Sequence, residues 1–302
     1  MADRRPVCVL AVAVVGACAT APAPDRSAGG AAAADDLFIN GHVAAHYVHA
    51  PYDPADHATC KVWHDVHAAD GRIVSKGPGG EFEHHRGLFI GWNQVQCGDR
   101  RFDFWHCNHG ESQRHQRFVS PAELGLDGDW QVAAIAWCDA QGTAIVRERR
   151  ALRARALDAA TTALDVVVEL TAADRAVVLG GDPQHSGHQF RALELFAPAD
   201  APKVRYLRPA SAHAEPDDVW TGCSWIAAIL PLPDGPVTVV RSEGRGNPPA
   251  VRWSTRDYGR FGATFTARLE PGAPLRLCYC YVVALGALDV DACERLAAST
   301  QP

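Results

Sequence analysis

The sequence lacks three features that would each indicate a class of protein. It has no excess of basic charge, since the net charge is −6 and the pI is near 6.1, which excludes the basic stripe of a nucleic-acid-binding protein. After the first residues it has no apolar run long enough for a transmembrane helix. It has no CxxC pair, so a zinc finger is unsupported. The hydrophobic fraction of 47% and the charged fraction of 21% are typical of a globular chain.

Helical periodicity is also scarce and is clear only over residues 289–298. From residue 37 onward, short runs of β-forming residues alternate with turn signals such as Asp70-Gly71. Residues 162–170 alternate between apolar and polar side chains, as a strand with one buried face does. Closely spaced strands without intervening helices predict an all-β fold, an antiparallel β-sandwich with few helices, as a single domain over residues 37–302.

The first residues are typical of an export signal. Two arginines precede an apolar run that ends in Val15-Gly16-Ala17-Cys18, which resembles a bacterial lipobox, where the cysteine is lipidated. This predicts a signal peptide over residues 1–18, lipidation at Cys18 and a flexible tether over residues 19–36. The body would then be exported to the periplasm or cell envelope and contact the membrane only through its lipid. The alternative is an ordinary cleaved signal with a coincidental cysteine.

An oxidising compartment favours disulfides among the eight cysteines that follow Cys18. Eight cysteines allow many pairings, so the sequence does not fix the connectivity. Cys97 and Cys107 flank a predicted hairpin and are therefore the favoured pair. Cys278 and Cys280 point to opposite faces of one predicted strand and cannot easily bridge each other.

Histidines occur in three clusters that are far apart in the sequence, each beside glycine and a predicted strand. They are Glu83-His84-His85-Arg86-Gly87, the segment 104–110 and His185-Ser186-Gly187-His188. Imidazole titrates near neutral pH and serves as a general acid, a general base or a metal ligand. If the clusters meet, they form one site, to which Glu83 could add a carboxylate for a divalent metal ion. If they do not meet, they are ordinary surface and turn histidines.

Five tryptophans lie beside polar residues, glycines or prolines: Trp92, Trp105, Trp220, Trp225 and Trp253. Indole faces stack on the C–H faces of sugar rings, while arginine, asparagine and histidine bind sugar hydroxyls. The combination therefore indicates a carbohydrate ligand. Alternatively, the tryptophans fill the ends of the β core.

Several of these motifs, in this order, resemble the PmoA-like family, a domain of unknown function often named methane oxygenase PmoA. The resemblance runs from about residue 51 to about residue 265. Its landmarks are His84-His85-Arg86-Gly87-Leu88, Asp103-Phe104-Trp105, the Trp137…Gly142…Glu148 hairpin, Phe190-Arg191, Asn247-Pro248-Pro249 and Trp253-Ser254-Thr255-Arg256-Asp257-Tyr258-Gly259. The segment at Asn247 is shorter than the family's usual Asn-Pro-Arg-His-Pro. Methane oxidation itself is excluded, because the membrane subunits of that enzyme have many spanning helices, and none is found here after the signal.

The His84-His85-Arg86-Gly87 element is also similar to the histidine-bearing segment of galactose-mutarotase-like proteins. Those proteins are β-supersandwiches that bind sugars and use a histidine as acid and a carboxylate as base. This similarity implies a supersandwich fold and histidine-mediated proton transfer in the present chain.

Together these observations predict a cell-envelope carbohydrate-active enzyme, a hydrolase, lyase or epimerase that acts on a sugar or an oxidised glycoside. The predicted proton-transfer residues are His84, His85 and His188. The predicted substrate-binding residues are Arg86, Trp105, His106, Arg191, Asn247, Trp253 and Asp257. One alternative is a lipid-anchored protein that binds a small-molecule or oligosaccharide ligand without catalysis. The other is a metal-binding protein that holds a divalent ion with its histidines.

Overall fold

A computed structural model describes residues 35–248 and 251–300 of the chain. Strands account for 49% of the structure, and the sheets are antiparallel. The predicted all-β class and antiparallel sandwich are therefore confirmed. The predicted signal peptide, the lipobox cysteine Cys18 and nearly all of the predicted tether lie outside the described residues.

The strands alternate with tight turns along the whole described chain. In chain order they are β1 (Asp36–Ile39), β2 (His42–Val48), β3 (Trp63–Val66), β4 (Leu88–Trp92), β5 (Gln94–Cys97), β6 (Arg100–Phe102), β7 (Ser112–Phe118), β8 (Gln131–Cys138), β9 (Ala144–Ala156), β10 (Thr161–Ala172), β11 (Val177–Gly180), β12 (Ser186–Arg191), β13 (Arg205–Leu207), β14 (His213–Glu215), β15 (Val219–Thr221), β16 (Trp225–Leu230), β17 (Val237–Glu243), β18 (Arg252–Arg256), β19 (Arg260–Thr264), β20 (Ala267–Leu269) and β21 (Leu275–Leu285). Short 3-10 helices cover His57–Thr59, Pro121–Leu124 and Glu194–Phe196.

The strands form three sheets. A nine-stranded sheet has the order β1-β2-β3-β4-β12-β19-β18-β15-β14, and an eight-stranded sheet has the order β13-β16-β17-β21-β10-β9-β8-β7. A four-stranded sheet, β20-β11-β5-β6, accompanies them. In the nine-stranded sheet, β4, β12 and β19 come from three distant parts of the sequence, so residues far apart in the chain become neighbours.

The inner faces of the two large sheets enclose the main hydrophobic core. Ile90 and Phe190 from the nine-stranded sheet belong to the same buried cluster as Leu164 and Val166 from β10. The predicted alternation along β10 is confirmed, because its polar Asp165 faces away from this core and accepts hydrogen bonds from arginine side chains of β9. Period-two alternation thus decides which side chains of each strand face the core.

The predicted C-terminal helix is confirmed as α1 (Val290–Ser299), which packs against the outer face of the eight-stranded sheet. Asp289 caps its first turn by accepting a hydrogen bond from the backbone N–H of Ala292 at 2.8 Å. In the part of the chain that the structure describes, no helix combines the length and apolar character needed to cross a bilayer.

Gly91 lets a loop lie directly on the outer face of the nine-stranded sheet, and its facing partner Gly187 lets the neighbouring strand β19 approach closely. Gly91 in β4 is the register partner of Gly187 in β12. A Cβ atom at Gly91 would lie only 2.4 Å from the backbone oxygen of Phe104. Gly187 has φ +87°, and a Cβ there would lie 2.0 Å from the backbone oxygen of Ala263. The loop that follows Phe104 is therefore held against the sheet because no side chain separates them.

Candidate functional site

Four histidine rings lie side by side over the outer face of the nine-stranded sheet. We call His84, His85, His106 and His185 the histidine cluster. The ring centroid of His84 is 4.3 Å from that of His85 and 4.5 Å from that of His106. The centroids of His106 and His185 are 5.0 Å apart. The three histidine-rich segments of the sequence therefore meet in space.

A buried tryptophan packs beneath the histidine cluster. The Trp105 ring centroid is 5.7 Å from that of His85 and 6.0 Å from that of His185. The indole also packs on Phe89 of β4, with the centroids 4.9 Å apart. Trp105 is fully buried, and its Nε1 has no hydrogen-bond partner among the described residues. The Trp105 ring face is therefore not exposed for stacking, and its N–H group is left unpaired.

Two histidines of the cluster are each oriented by an aspartate three residues earlier. The Nδ1 of His106 lies 2.7 Å from Oδ2 of Asp103, and the Nδ1 of His185 lies 2.9 Å from Oδ1 of Asp182. An ionised carboxylate can only accept, so the hydrogen is on Nδ1 in each ring and Nε2 carries a lone pair. Both rings are thus set in the tautomer of a general base.

The local sequence produces this geometry in both places. Asp103 accepts hydrogen bonds from the backbone N–H groups of Trp105 and His106 at 2.9 and 2.8 Å, which closes a tight turn. Burial raises the pKa of Asp103, but the hydrogen bonds from His106 outweigh it, and the net shift is downward. The same balance, with the hydrogen bond from His185, lowers the pKa of Asp182. Both carboxylates therefore stay ionised at neutral pH.

The other two histidines of the cluster are neutral at physiological pH. Burial lowers the pKa of His84 to about 2, helped by the nearby Lys61 ammonium. Burial also lowers the pKa of His85 far below the usual histidine value, helped by the neighbouring His84. Both ring nitrogens of His85 are buried and lack hydrogen-bond partners among the described residues. His85 is therefore suited to hydrogen bonding with a ligand rather than to donating a proton as imidazolium.

Buried cations complete the site. Arg191 is fully buried, lies over the Tyr258 ring with its guanidinium carbon 4.7 Å from the centroid, and shares the Glu194 carboxylate with Lys76. The Nε of Arg191 has no partner among the described residues. The Tyr258 ring also contacts the His85 ring, and their centroids are 6.2 Å apart. This contact is consistent with the predicted place of Arg191 beside the histidines.

Arg260 in β19 adds a second buried guanidinium on the same face. Its Nη1 donates to Oε1 of Gln189 at 3.0 Å, and its Nη2 donates to Oγ of Ser254 at 2.7 Å. Its partners in the described part of the chain are neutral, so no carboxylate compensates its charge there. The site therefore has more buried positive than negative charge.

The predicted catalytic residue His188 does not belong to this site. It points from β12 into the sandwich core, where its Nδ1 lies 2.8 Å from the Tyr281 hydroxyl and its ring stacks on Tyr279. Burial and the nearby Arg241 lower its pKa well below the usual value. The placement of His188 with the other histidines is therefore wrong, because alternation along β12 directs its side chain to the opposite face from Arg191.

Two predicted binding residues are also buried elsewhere. Arg86 donates to the Cys60 sulfur at 3.4 Å and to the His57 carbonyl at 2.9 Å, beneath the histidine cluster. Trp253 lies in the main core, and its indole N–H donates to the Cys223 carbonyl at 3.0 Å. Neither side chain faces the cluster, so the roles expected for them in contacting the sugar are not supported.

The last two predicted binding residues are structural or exposed. Asn247 supports its own loop, because its Oδ1 accepts a hydrogen bond from the Cys278 backbone N–H at 2.7 Å and its amide donates to Glu243. Asp257 is exposed and forms a surface ion pair with Lys203 at 3.5 Å. The predicted binding roles of both residues are therefore not supported by these contacts.

The sequence prediction assigned no catalytic or binding role to several residues of the site. Asp103, Asp182 and His185 were detectable, because the pattern Asp-x-x-His occurs at both 103–106 and 182–185. Tyr258 and Arg260 carry no local signal of this kind. Only the pairing of β12 with β19 brings them to the histidine cluster.

The predicted metal site is not formed by the described residues. Among them, no group of three or more histidine, cysteine, aspartate or glutamate side chains is arranged to hold a metal ion. Glu83, the carboxylate expected to join the histidines, is largely exposed and lies 3.9 Å from Nδ1 of His57. The histidine cluster thus offers hydrogen bonding and proton transfer rather than a ready set of metal ligands.

A separate surface cleft lies beside β2 and β7, with a volume of about 460 Å³. It contains His49 and His115, whose ring centroids are 4.4 Å apart, next to Tyr47. We do not assign the function to this cleft, because it is open to solvent and lacks the buried, unpartnered polar groups found at the histidine cluster.

The protein is thus an antiparallel β-sandwich with histidines, a tryptophan and arginines gathered on one sheet face. The chain belongs to DUF6807, a family of unknown function whose model matches residues 36–298. No curated protein matches the chain. The predicted resemblances to the PmoA-like and galactose-mutarotase-like families remain predictions, because these comparisons do not link the chain to either.

Two solved structures are similar to the chain. One is a putative kojibiose phosphorylase from the human microbiome, with 8% identity and a TM-score of 0.35 over 88% of this chain and 30% of that protein. The other is the heparan sulfate lyase HepC from Pedobacter heparinus, with 8% identity and a TM-score of 0.27 over 76% of this chain and 30% of that protein. The chain thus spans under a third of the length of each.

Proposed function

We propose that the protein is a carbohydrate-active enzyme that transfers protons to and from a sugar or an oxidised glycoside at the histidine cluster. The observation that carries the proposal is the pair of aspartate-oriented histidines, His106 and His185, with ring centroids 5.0 Å apart. An imidazole fixed by a carboxylate at Nδ1 is the usual arrangement of a general base at Nε2. Two such groups supply both the base and, once protonated, the acid of a proton-transfer reaction.

The side-by-side rings favour lyase chemistry over hydrolysis and epimerisation. Because His106 and His185 are neighbours, they reach adjacent atoms of one sugar from the same side. Syn elimination needs a proton removed at one carbon and a proton delivered to the nearby leaving oxygen on the same side, whereas glycoside hydrolysis needs its two groups on opposite sides of the scissile bond. Epimerisation needs groups on opposite faces of the reacting carbon.

Unpartnered buried groups next to these histidines are suited to binding the sugar. They are both ring nitrogens of His85, Nε1 of Trp105 and Nε of Arg191. Buried polar groups are nearly always paired, and each unpaired one costs about 1–3 kcal/mol. Sugar hydroxyls both donate and accept, so one sugar ring can satisfy all three residues. The uncompensated charge of Arg260 favours a keto or carboxylate oxygen, which an oxidised sugar carries.

A proton-exchange screen tests the proposal. The protein is incubated in D₂O with a panel of glycosides and their oxidised derivatives, and each sample is followed by proton NMR. We expect deuterium incorporation or a new product with at least one oxidised glycoside. Ligand-induced line broadening without exchange or product would favour the non-catalytic sugar-binding alternative. No interaction with any member of the panel would contradict both functions.

We predict that His85→Leu stabilises the protein while abolishing ligand binding. Leucine has a volume close to that of histidine and carries no polar atom, so it removes two buried, unpaired nitrogens. The free energy of unfolding in urea should rise by at least about 1–3 kcal/mol, the cost of one unpaired nitrogen, while affinity for the sugar falls below detection. A variant that is less stable and still binds the sugar would contradict this role of His85.

We also propose that the protein is exported and anchored by a lipid at Cys18. The Val15-Gly16-Ala17-Cys18 sequence supports this proposal. Expressed in a bacterial host with labelled palmitate, the wild-type chain should be labelled and sediment with membranes. Cys18→Ser should lose the label and appear in the soluble fraction, whereas Cys8→Ser should match the wild type. Membrane attachment of Cys18→Ser would rule out the lipid anchor.

A further inference from the structure

We propose that Cys60 and Cys107 are a redox-active dithiol, in which Cys60 is oxidised first and Cys107 then closes a disulfide with it. The structure holds all eight described cysteines as free thiols, so the predicted Cys97–Cys107 disulfide is wrong. Cys97 lies at the β5–β6 turn, where its register partner is Arg100. Cys107 instead lies next to the Cys60 segment, because the His57 ring is 2.8 Å from the His106 carbonyl and Lys61 donates to the Trp105 carbonyl.

The Cys60 sulfur is surrounded by groups that stabilise its thiolate. The Arg86 guanidinium lies 3.4 Å from it, and Nε2 of His57 lies 3.8 Å from it. The hydrogen bond from Cys107 is the largest influence lowering the pKa of the Cys60 thiol, and His57, Lys61 and Arg86 add to it. An electropositive environment of this kind is one of the features that reactive cysteines share.

The thiolate also supplies a counter-charge in direct contact with the buried cations, beside the more distant Asp103 carboxylate. Lys61 and Arg86 are almost completely buried. The Lys61 ammonium donates to the backbone oxygens of His84 and Trp105, and Arg86 donates to the His57 carbonyl and the Cys60 sulfur. These partners are neutral apart from the sulfur. An ionised Cys60 therefore balances buried positive charge that would otherwise be costly.

The backbone conformation at Cys107 is a second, independent observation that indicates a role for its thiol. Cys107 has φ +60°, a left-handed conformation that favours glycine or asparagine over cysteine. The turn at Asp103 places Cys107 there, since the Cys107 N–H donates to the Asp103 carbonyl at 3.0 Å. A cysteine at a position better suited to glycine indicates that the thiol has a role.

The oxidation balances with hydrogen peroxide, a reagent small enough for a buried sulfur. The Cys60 thiolate attacks one peroxide oxygen, the O–O bond breaks, and hydroxide leaves and takes up a proton to become water. The resulting Cys60 sulfenic acid is then attacked by the Cys107 sulfur. The S–O bond breaks, and hydroxide leaves with the Cys107 proton as a second water. Two electrons pass from the thiols to the peroxide.

Formation of the disulfide removes the thiolate from beside Lys61, which holds the backbone on both sides of the histidine cluster. Oxidation therefore removes the counter-charge in contact with Arg86 and leaves Lys61 only the Asp103 carboxylate. A dithiol whose reduced form is stabilised in this way gives an easily reduced disulfide. The pair is thus reversible rather than a permanent cross-link.

The test is oxidation of the folded full chain with hydrogen peroxide, alkylation of the remaining thiols and peptide mass spectrometry without reductant. We expect a linked pair of peptides that contain Cys60 and Cys107, and its reversal by reduced glutathione. Cys107→Ser should stop the reaction at a Cys60 sulfenic acid that dimedone traps, and Cys60→Ser should leave Cys107 unoxidised. Cys138→Ser, which removes another buried thiol, should match the wild type.

The rate of Cys60 oxidation in the wild type provides a readout that needs no variant to fold. An ordinary thiol loses roughly tenfold in reactivity per pH unit below its pKa, whereas a stabilised thiolate does not. We expect the rate to stay within about twofold between about pH 8 and pH 6. The proposal is overturned if Cys60 and Cys107 remain alkylatable after Cys97 has been oxidised, or if the rate falls as for an ordinary thiol.

Discussion

His106→Gln and His185→Gln each lower kcat by about 10²–10⁴-fold, the usual loss when a general acid or base is removed. Both rings are only partly buried, and glutamine keeps a polar group at each position. The free energy of unfolding should therefore change by less than about 1 kcal/mol. The measurement is turnover of whichever substrate the proton-exchange screen identifies, together with urea unfolding of each variant.

Asp103→Asn and Asp182→Asn test the same site through the orientation of the rings. An asparagine amide can donate to Nδ1, which moves the histidine hydrogen to Nε2 and removes the lone pair that takes the proton. We expect kcat to fall nearly as far as in the histidine variants, with KM almost unchanged. A loss confined to KM would instead indicate that the aspartates only help to bind the substrate.

The matched control is a second aspartate–histidine pair outside the site. Nδ1 of His46 lies 2.7 Å from Oδ1 of Asp36 on the β1–β2 hairpin. Its geometry is the same as that of His106 with Asp103, but it has no part in the histidine cluster. His46→Gln should keep wild-type kcat. Equal losses in His46→Gln and His106→Gln would show that the effect is general and not specific to the cluster.

The fold was predictable where the evidence in the sequence is local. Alternation over residues 162–170 identified β10, and the helical pattern over residues 289–298 identified α1, because each pattern repeats within one element. The capping role of Asp289 is local as well. The order of strands in the sheets is not local, since β4, β12 and β19 meet across long stretches of chain.

The site was only partly predictable for the same reason. His188 and Arg191 both lie in β12, where every residue is buried, so the pattern does not show which face is the core. The register of β12 between β4 and β19 decides it, and it places His188 inside the sandwich. Trp253 and Trp105 are equally buried, but on opposite sides of the nine-stranded sheet. A single sequence contains no signal for that difference.

Lowering the pH from 7 to 5 should destabilise the protein by about 6 kcal/mol. His64, His85 and His188 are buried and neutral, and burial is the main reason that the pKa of each is lowered, to about 3 for His64. An unfolded histidine has a pKa near 6.5, so between these values the unfolded state binds more protons. The contribution of these histidines to the free energy of unfolding is therefore fully present above about pH 6.5. It is lost as the pH falls, by about 2 kcal/mol per histidine at pH 5.

The groups that face His188 also favour a loss of stability as the pH falls. Arg241, Arg150 and His64 all oppose its protonation, and Tyr281 supplies a neutral partner. The lowered pKa values of the site carboxylates act in the same sense but at more acidic pH. His57 acts in the opposite sense, because its pKa is raised by the hydrogen bond to Cys60. His57 is one group against four, because burial also lowers the pKa of His84, to about 2. The net effect of acid therefore remains destabilising.

Urea unfolding at pH 7 and pH 5 measures this effect, with His188→Gln as the informative variant. Glutamine does not titrate, so the loss of stability between the two pH values should shrink by about 2 kcal/mol, even though the variant is less stable at pH 7. His213→Gln is the control, because His213 is exposed on β14 and its replacement should leave the pH dependence unchanged. If the wild type has the same free energy of unfolding at both pH values, the core histidines are not neutral in the folded state.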